Sequence, residues 1–294
     1  MLSRFLTFLY LLFSLTLSAQ ELHRIAPNSA AELHAFFQYQ EGNAPIISGH
    51  RGGKEPGYPE NSLEAMEYTL QFTPAIFEVD PRITKDSVIV LFHDASLERT
   101  SNGQGKLIDH TFEELRQLQL MDVNGVLTPY KIPSLEESIA WAKGKTILNL
   151  DHKDVPLAVT ARTLIDLDAL SHVMITVHAP EEAAFYLSQD SRFMFSAFIR
   201  NFEELEAYEK AGIPWSQLIA YVGPLSKPEN QALYDALHQR GVKVMISAAP
   251  SYDKETDVEK RAEDYRKVII EGADVLESDY PIAVGKAFKE LKNK

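Results

Sequence analysis

Short apolar runs alternate with longer amphipathic segments throughout the second half of the chain. The short runs have the length of buried strands, whereas the longer segments carry apolar residues at helical spacing. Gly212, Gly241 and Gly272 each follow one of the longer segments, at the position where glycine commonly ends a helix. The pattern predicts strands over 146–150, 173–177, 193–199, 218–222, 242–246 and 273–277, and helices over 157–170, 181–188, 202–211, 230–240, 257–271 and 282–291.

The first half of the chain begins with similar units. A capping box at 29–32 predicts a helix over 30–40, which we expect to plug or flank the first strand. That strand is predicted over 45–48, and a second capping signature at 61–64 begins a helix that runs to about residue 72.

Two strands joined by a short polar turn follow this helix. The strands are predicted over 77–83 and 88–92, and the link 84–87 is too short for a parallel crossover, which needs a dozen or more residues. The two strands must therefore run antiparallel, as a hairpin.

Residues 95–135 break the alternation of strands and helices. They contain turn-forming glycines, two prolines and a short helix that begins near Thr111, and the next helix is predicted over 134–143. We therefore interpret 95–135 as an insertion within one domain that extends over 20–294.

The strand count favours a closed barrel. Nine strands are predicted, and one arm of the hairpin cannot be a parallel barrel strand, which leaves eight. Eight parallel strands alternating with helices predict an α/β protein with the (β/α)8 TIM-barrel fold. The alternative is an open doubly wound sheet, but no GxGxxG sequence follows the first strand.

The first 19 residues resemble a secretory signal peptide. Arg4 precedes an apolar run over 5–17, and Ser18 and Ala19 are the small residues typical of a cleavage site. The run is short for a membrane span, so we expect cleavage after Ala19 and no stable membrane insertion of the mature protein, the alternative being an uncleaved anchor. The chain has no cysteine, and a secreted protein without disulfides fits the bacterial periplasm or exterior.

The charge of the chain limits its partners. The formal net charge is −13 at pH 7, which disfavours nucleic acid or an anionic membrane as the main partner. An anionic substrate would require local positive charge or a metal ion.

Charged and titratable residues collect at the carboxyl ends of the predicted strands, where barrels carry function. Glu78 and Asp80 are two residues apart and share a strand face, and Asp151 follows the strand 146–150. Three carboxylates suit a hard cation, so we predict a Ca²⁺ or Mg²⁺ site. The alternative for Asp151 is a solvated loop at the end of its strand.

Cationic and imidazole side chains accompany these carboxylates. Arg51 and Lys153 suit a phosphate, the first by bidentate hydrogen bonds and the second as a point charge. His50 ends the first strand and His93 ends the hairpin, so the two can serve as general base and general acid. The other strand ends carry His178, Arg200, Tyr221, Ser247 and Asp279.

An ordered set of short motifs extends from His50 to Pro281. The motifs are His50-Arg51-Gly52, Pro59-Glu60-Asn61-Ser62, Glu78-Val79-Asp80, His93-Asp94, and the segments 97–103, 132–136 and 272–281. This set resembles the glycerophosphodiester phosphodiesterases. The resemblance implies a barrel with an insertion after the hairpin, and metal-dependent hydrolysis of a small-molecule glycerophosphodiester to glycerol 3-phosphate and an alcohol.

The resemblance also implies a role for individual residues. In the implied scheme the glycerol 2-hydroxyl attacks phosphorus, and water then opens the cyclic phosphate. The implied metal ligands are Glu78, Asp80 and Asp151, the implied acid–base pair is His50 and His93, and the implied substrate-binding residues are Arg51, Glu60, Asn61, Lys153 and Ser247.

The chain departs from the family pattern at two positions. Asp151 stands where the family usually has glutamate, and Ser247 stands where it usually has the tryptophan of a Trp-Thr-x-Asn motif. Small residues there enlarge or repolarise the substrate pocket. Two other functions are compatible with the sequence: a lyase that stops at the cyclic phosphate, and a barrel that binds a ligand without catalysis.

Overall fold

The computed structural model describes residues 21–291 and shows a closed barrel of eight parallel strands with helices around it. The predicted (β/α)8 fold is confirmed. The strands are β1 (Ile46–Gly49), β2 (Ile76–Val79), β3 (Pro81–Ile83), β4 (Ile89–Leu91), β5 (Leu148–Leu150), β6 (Val173–Val177), β7 (Phe195–Phe198), β8 (Leu218–Gly223), β9 (Lys243–Ser247) and β10 (Val275–Ser278). The α-helices are α1 (Ala30–Phe37), α2 (Leu63–Leu70), α3 (Phe112–Gln117), α4 (Leu135–Ala142), α5 (Leu157–Asp166), α6 (Pro180–Gln189), α7 (Phe202–Ala211), α8 (Gln231–Gln239), α9 (Val258–Ile270) and α10 (Pro281–Leu291).

The ring is closed by β1, which pairs with both β2 and β10. The other barrel strands follow in the order β10, β9, β8, β7, β6, β5, β2, and each neighbouring pair is parallel. An open doubly wound sheet is therefore excluded. All carboxyl ends of the barrel strands consequently point to the same end of the barrel.

The hairpin is present, but its first arm is not the single strand predicted over 77–83. The barrel strand β2 ends at Val79 and β3 begins at Pro81. The N–H of Asp80 donates to Asn61 Oδ1 at 3.0 Å, and Pro81 has no N–H, so the barrel ladder stops here. As a result β3 and β4 form a separate antiparallel pair outside the barrel.

Helix α1 plugs the amino-terminal end of the barrel, as the sequence predicts. Leu33 and Phe37 on this helix are fully buried. They pack in an apolar cluster with Ile46, Ile76, Ile147, Met174, Met194, Ile219, Met245 and Val275. The carboxyl-terminal end of the barrel is left for the polar groups.

The insertion packs on the hairpin around a small apolar cluster. The members of this cluster are Val90, Phe92, Leu97, Leu107, Leu115, Leu120 and Ile132. Thr111 and Glu114 form a reciprocal capping box at the start of α3. The insertion is thereby fixed beside the carboxyl end of the barrel.

The predicted signal peptide lies outside the described residues. Within residues 21–291, none of the helices combines the length and the apolar character needed to cross a bilayer.

Candidate active site

Glu78, Asp80 and Asp151 meet at the carboxyl ends of two neighbouring barrel strands. Glu78 lies in β2, Asp80 directly follows it, and Asp151 follows β5, which pairs with β2. One carboxylate oxygen from each residue lies within 4.8 Å of the others. The structure therefore brings together the three carboxylates that the sequence singled out, hereafter the carboxylate trio.

The carboxylate trio carries concentrated negative charge in a buried place. Glu78 is 6% exposed and Asp80 is 1% exposed. Burial, together with the charges of Asp80, Glu277 and Asp151, raises the pKa of Glu78 well above its usual range. The donors that converge here are carboxylate oxygens, which Ca²⁺ and Mg²⁺ prefer. A divalent cation would offset the mutual repulsion, so the donor set fits the predicted ion.

Arg51 reaches the trio from a strained loop after β1. Its backbone has φ 56° and ψ 30°, in the left-handed region that side chains other than glycine rarely adopt. In this conformation the N–H of Arg51 donates to Glu78 Oε2 at 3.0 Å. The Nε atom lies 3.7 Å from Asp80 Oδ2, is buried, and has no hydrogen-bond partner among residues 21–291. A buried guanidinium donor without a partner is suited to complete its bonding with an anionic ligand.

Lys153 lies on the other side of Asp80. Its Nζ atom is 3.1 Å from Asp80 Oδ1 and 2.5 Å from Asp151 Oδ2. Burial alone would lower the pKa of Lys153, but the charges of Asp80 and Asp151 outweigh it and the pKa is raised. Lys153 therefore remains charged, and Asp80 is flanked by two cations that could share a phosphate.

His50 is oriented by Asp279, the residue after β10. Its Nδ1–H donates to Asp279 Oδ1 at 2.6 Å, and Lys54 Nζ binds the other oxygen at 2.8 Å. The Nε2 atom lies 3.9 Å from Glu78 Oε2 and so faces the carboxylate trio. Burial alone would lower the pKa of His50, but the hydrogen bond to Asp279 and the charge of Glu277 outweigh it, and the net shift is upward.

His93 is oriented in the same way by Asp94, but its acidity shifts in the opposite direction. The Nδ1–H of His93 donates to Asp94 Oδ1 at 2.6 Å. Arg99, from the insertion, donates to both oxygens of Asp94 at 2.6 and 3.0 Å and lowers the pKa of that carboxyl. Burial lowers the pKa of His93 and outweighs the hydrogen bond to Asp94, which acts in the opposite direction. The two predicted acid–base residues therefore differ in their readiness to hold a proton.

Glu60 and Asn61 hold other site residues in place. Glu60 accepts hydrogen bonds from Arg51 at 3.1 Å and from Arg99 at 2.6 and 3.0 Å. Asn61 donates to Asp80 Oδ2 at 2.7 Å, in addition to accepting from the Asp80 N–H. Direct substrate binding by Glu60 and Asn61 stays a prediction, since these polar atoms already have protein partners.

The holding role of Asn61 also moves the start of α2. Asn61 has φ 57° and its side chain is turned toward Asp80, so it does not cap the helix. The cap is Ser62, whose Oγ accepts from the N–H of Ala65 at 3.1 Å. The helix cap is therefore Ser62 and not Asn61, the first residue of the predicted capping signature.

A polar cavity of about 160 Å³ occupies the centre of the barrel mouth. Ser247 lines it, as the family resemblance implies, together with Tyr221 from the next strand. The lining also includes His50, Glu78, Asn149, Asp151, Thr176, Ser196, Phe198, Met245 and Glu277. We call this space the central cavity.

Glu277 was not singled out in the sequence, because Asp279 was taken as the polar residue at the end of the last strand, whereas Glu277 lies within β10 in the structure. It is 7% exposed and accepts a hydrogen bond from Ser48 Oγ at 3.5 Å. Burial raises the pKa of Glu277, while His50 and a hydrogen bond from Ser247 oppose that shift. A buried carboxylate thus lies on the side of the cavity where the family pattern has its tryptophan.

Two other predicted strand-end residues are not members of the trio. Arg200 pairs with Glu204 on α7 at 2.5 Å. His178 comes no closer than 4.0 Å to Asp151 and packs edge-on against Phe198. Neither residue contributes to the cluster of His50, His93 and the trio.

A protein-family comparison matches residues 50–251 to the glycerophosphoryl diester phosphodiesterase family. The match covers more than half of the chain and contains both histidines and the carboxylate trio. The chain belongs to this family. The family that the resemblance implied is therefore confirmed, while the roles of the individual site residues stay predictions.

Solved structures agree with the fold. A glycerophosphoryl diester phosphodiesterase from Parabacteroides distasonis is 52% identical with a TM-score of 0.91, covering 92% of this chain and 95% of that chain. A phosphodiesterase from Oleispira antarctica, solved in complex with the product sn-glycerol-3-phosphate, is 19% identical with a TM-score of 0.61. It covers 84% of this chain and 97% of that chain, and at this identity it supports the fold alone.

Curated relatives match over a shorter part. Glycerophosphodiester phosphodiesterase 1 from Bos taurus is 37% identical over 94 residues, which is 31% of this chain and 28% of that protein. Glycerophosphodiester phosphodiesterase from Bacillus altitudinis is 33% identical over 114 residues, 37% of this chain and 45% of that protein. The matched part thus spans less than half of these two relatives.

Proposed function

We propose that this protein is a divalent-cation-dependent phosphodiesterase that hydrolyses glycerophosphodiesters to glycerol 3-phosphate and an alcohol. The carrying observation is the buried carboxylate trio between Arg51 and Lys153, with a carboxylate-oriented imidazole on each side. Membership of the family and the names of its relatives support the choice of substrate.

Glu78, Asp80 and Asp151 would hold the cation. When bound, a divalent ion supplies charge that neutralises the non-bridging phosphate oxygens as negative charge builds. Arg51 would complete the bonding of its free Nε on the phosphate, and Lys153 would add a point charge from the other side. These contacts orient the phosphate between the two imidazoles.

The two histidines would divide the proton transfers according to their pKa shifts. His93 is neutral at pH 7, and its Nδ1–H is taken by Asp94, so Nε2 is free to accept the proton of the attacking 2-hydroxyl. His50 is more readily protonated, and its Nε2–H can donate to the leaving alcohol oxygen. The products of this step are the free alcohol and a cyclic phosphate of glycerol.

The second step would use the same groups in reverse. His50, now neutral, takes a proton from water as the water oxygen attacks phosphorus. His93, now charged, returns its proton to the 2-oxygen as the ring opens. The net reaction consumes one water and leaves both histidines in their starting states.

Two cavities offer room for the two ends of the substrate. The central cavity, beside Ser247 and Glu277, would accept the hydroxyls of the glycerol end. A second cavity of about 210 Å³ lies between the β1 loop and the insertion, and it would accept the leaving alcohol. Its lining includes Lys54, Tyr58, Glu60, Arg99 and Asp122.

The function is tested by release of glycerol 3-phosphate from glycerophosphocholine, glycerophosphoethanolamine and glycerophosphoinositol. We expect activity with Ca²⁺ or Mg²⁺, complete loss in EDTA, and recovery when the ion is added back. Activity that survives exhaustive chelation would contradict the role of the carboxylate trio.

The pH profile tests the division of labour between the histidines. A neutral His93 and a protonated His50 are required together, so kcat/KM should be bell-shaped. The midpoint of the acid limb should lie below pH 6.5, because the pKa of His93 is lowered from that value. The midpoint of the alkaline limb should lie above pH 6.5, because the pKa of His50 is raised.

Two variants separate the limbs of this profile. Asp279→Asn removes the partner that raises the pKa of His50, so the alkaline limb should move to lower pH. Asp94→Asn removes the partner that raises the pKa of His93, so the acid limb should also move to lower pH. A profile that neither substitution moves would contradict the assignment.

Ser247→Trp tests the central cavity. The indole would fill the space beside Glu277 and remove the hydroxyl that bonds it. We expect KM for the preferred diester to rise by about tenfold or more, which corresponds to about 1.4 kcal/mol of lost binding free energy. Ser247→Ala, which keeps the space, is the control and should change KM much less. An unchanged KM in Ser247→Trp would place the glycerol end elsewhere.

Secretion is part of the proposal. The basic start, the apolar run over 5–17 and the small residues at 18–19 support it. Expression of the full chain in a bacterial host and sequencing of the mature N-terminus should give Gln20 as the first residue. A cytoplasmic product that retains Met1 would contradict it.

A further inference from the structure

A second group of metal-binding side chains lies next to the carboxylate trio. His152, His178 and Glu182 each place one ligand atom within 4.8 Å of the others. His152 follows Asp151 directly, His178 follows β6, and Glu182 lies in the first turn of α6. Three different segments therefore converge here, at the carboxyl end of the barrel.

The contacts of Glu182 leave one oxygen directed at the histidines. Its Oε2 accepts the backbone N–H of His178, the residue before the N-cap of α6, at 2.7 Å. Its Oε1 lies 3.3 Å from His152 Nδ1. The backbone contact explains the position of the first oxygen and not that of the second.

The rings of His152 and His178 are not held in place by hydrogen bonds as the Glu182 carboxylate is. Within the part of the chain that the structure describes, neither ring makes a hydrogen bond to a protein atom beyond the 3.3 Å approach of His152 to Glu182. The ring centroids of His152 and His178 are 5.8 Å apart, and their side chains are 30% and 45% exposed. Their nitrogens are therefore free to bind an ion that enters from solvent.

The donor types distinguish this group from the carboxylate trio. Two imidazole nitrogens and one glutamate oxygen form a set that binds Zn²⁺ with a fourth position left open, whereas oxygen-only sets favour Ca²⁺ or Mg²⁺. Asp151 joins the two groups, since its Oδ1 lies 4.0 Å from His178 Nε2 while its Oδ2 contacts Lys153.

We propose that His152, His178 and Glu182 form a second cation site, selective for Zn²⁺ or a similar transition metal, adjacent to the hard-cation site and linked to it through Asp151. The site places positive charge at the rim of the central cavity, on the side where His178 packs against Phe198. It does not depend on the phosphodiesterase reaction, because binding alone defines it.

Zn²⁺ binding to tag-free protein beginning at Gln20 tests this site. The protein is stripped with EDTA, dialysed, and titrated with Zn²⁺ by calorimetry in excess Mg²⁺, which competes for the carboxylate trio. We expect one equivalent to bind, and Co²⁺ used as a probe in place of Zn²⁺ to give the visible absorption of a nitrogen-ligated ion.

Matched substitutions locate the ion. His178→Ala and Glu182→Gln should weaken Zn²⁺ binding by more than about 100-fold, since loss of an outer-shell partner alone costs about 10–100-fold. Glutamine can still accept the His178 N–H and preserve the turn before α6. Glu181→Gln, a change of the same kind on the exposed neighbour, should bind Zn²⁺ like the unaltered protein.

Three results would overturn the proposal. One is the absence of Zn²⁺ binding tighter than millimolar. Another is retention of the equivalent in folded His178→Ala and Glu182→Gln proteins, as judged by unchanged circular dichroism. The third is loss of the equivalent in Glu78→Gln with retention in His178→Ala, which would place Zn²⁺ in the carboxylate trio.

Discussion

Glu78→Ala should abolish phosphodiesterase activity while leaving the barrel folded. We expect kcat/KM to fall by about 10³-fold or more, at least the scale of losing one preorganised electrostatic group in an active site. Glu78 also accepts the N–H of Arg51, so its removal releases the strained loop that presents the guanidinium to the substrate.

Glu78→Ala should lose activity without losing stability. The pKa of Glu78 is raised in the folded protein, so at neutral pH its charge favours the unfolded state, where the pKa is ordinary. Its stabilising contribution is present below the unfolded pKa and is lost as pH rises. At pH 7 without metal, the melting temperature of the variant should equal or exceed that of the unaltered protein.

A control and a contrary result complete this prediction. Glu203→Ala, at an exposed position on α7, should retain activity and stability. Collapse of the circular dichroism melt of Glu78→Ala in EDTA would mean that Glu78 is a structural residue. Substantial remaining turnover would mean that it is not required for holding the cation.

His93→Ala should lower kcat by about 10²–10⁴-fold, the range of a general acid–base contribution. His93 is half-buried, and its side chain bonds the neighbouring residue Asp94. Because this contact is local, the fold should survive the substitution. KM should change little, because the phosphate is held by Arg51, Lys153 and the cation.

The leaving group distinguishes His93 from His50. With a glycerophosphodiester of p-nitrophenol, departure of the phenolate needs no proton, so the loss in His50→Ala should shrink. The loss in His93→Ala should persist, because the 2-hydroxyl still has to be deprotonated. The reverse pattern would exchange the two roles.

The fold was predictable because its pattern is regular. Alternating strands and helices after residue 146, and a link too short for a crossover after residue 83, led to eight barrel strands, as observed. The break at Asp80 was not predicted, since apolar and polar residues continue to alternate through it as far as Ile83. The break depends on Pro81, which has no N–H, and on Asn61, nineteen residues away, which accepts the N–H of Asp80.

The site residues at the strand ends were predictable, whereas the contacts that orient them were not. The histidines, Arg51, Lys153 and the carboxylate trio are close in the structure because parallel strands end at one edge. The partners that set their chemistry come from distant segments: Asp279 fixes His50, and Arg99 joins Asp94 to Glu60. Their effect depends on distances and burial, so the opposite pKa shifts of His50 and His93 emerge only from the structure.

The most direct test of the proposed reaction is ³¹P NMR of glycerophosphocholine, glycerophosphoethanolamine and glycerophosphoinositol, each incubated with the mature protein and Ca²⁺ or Mg²⁺. We predict that at least one diester signal is replaced by that of glycerol 3-phosphate, and that His93→Ala leaves the spectrum unchanged over the same time. Accumulation of a cyclic phosphate as the end product would contradict hydrolysis and indicate a lyase. No conversion of any diester would contradict the proposed function and leave a barrel that binds without catalysis.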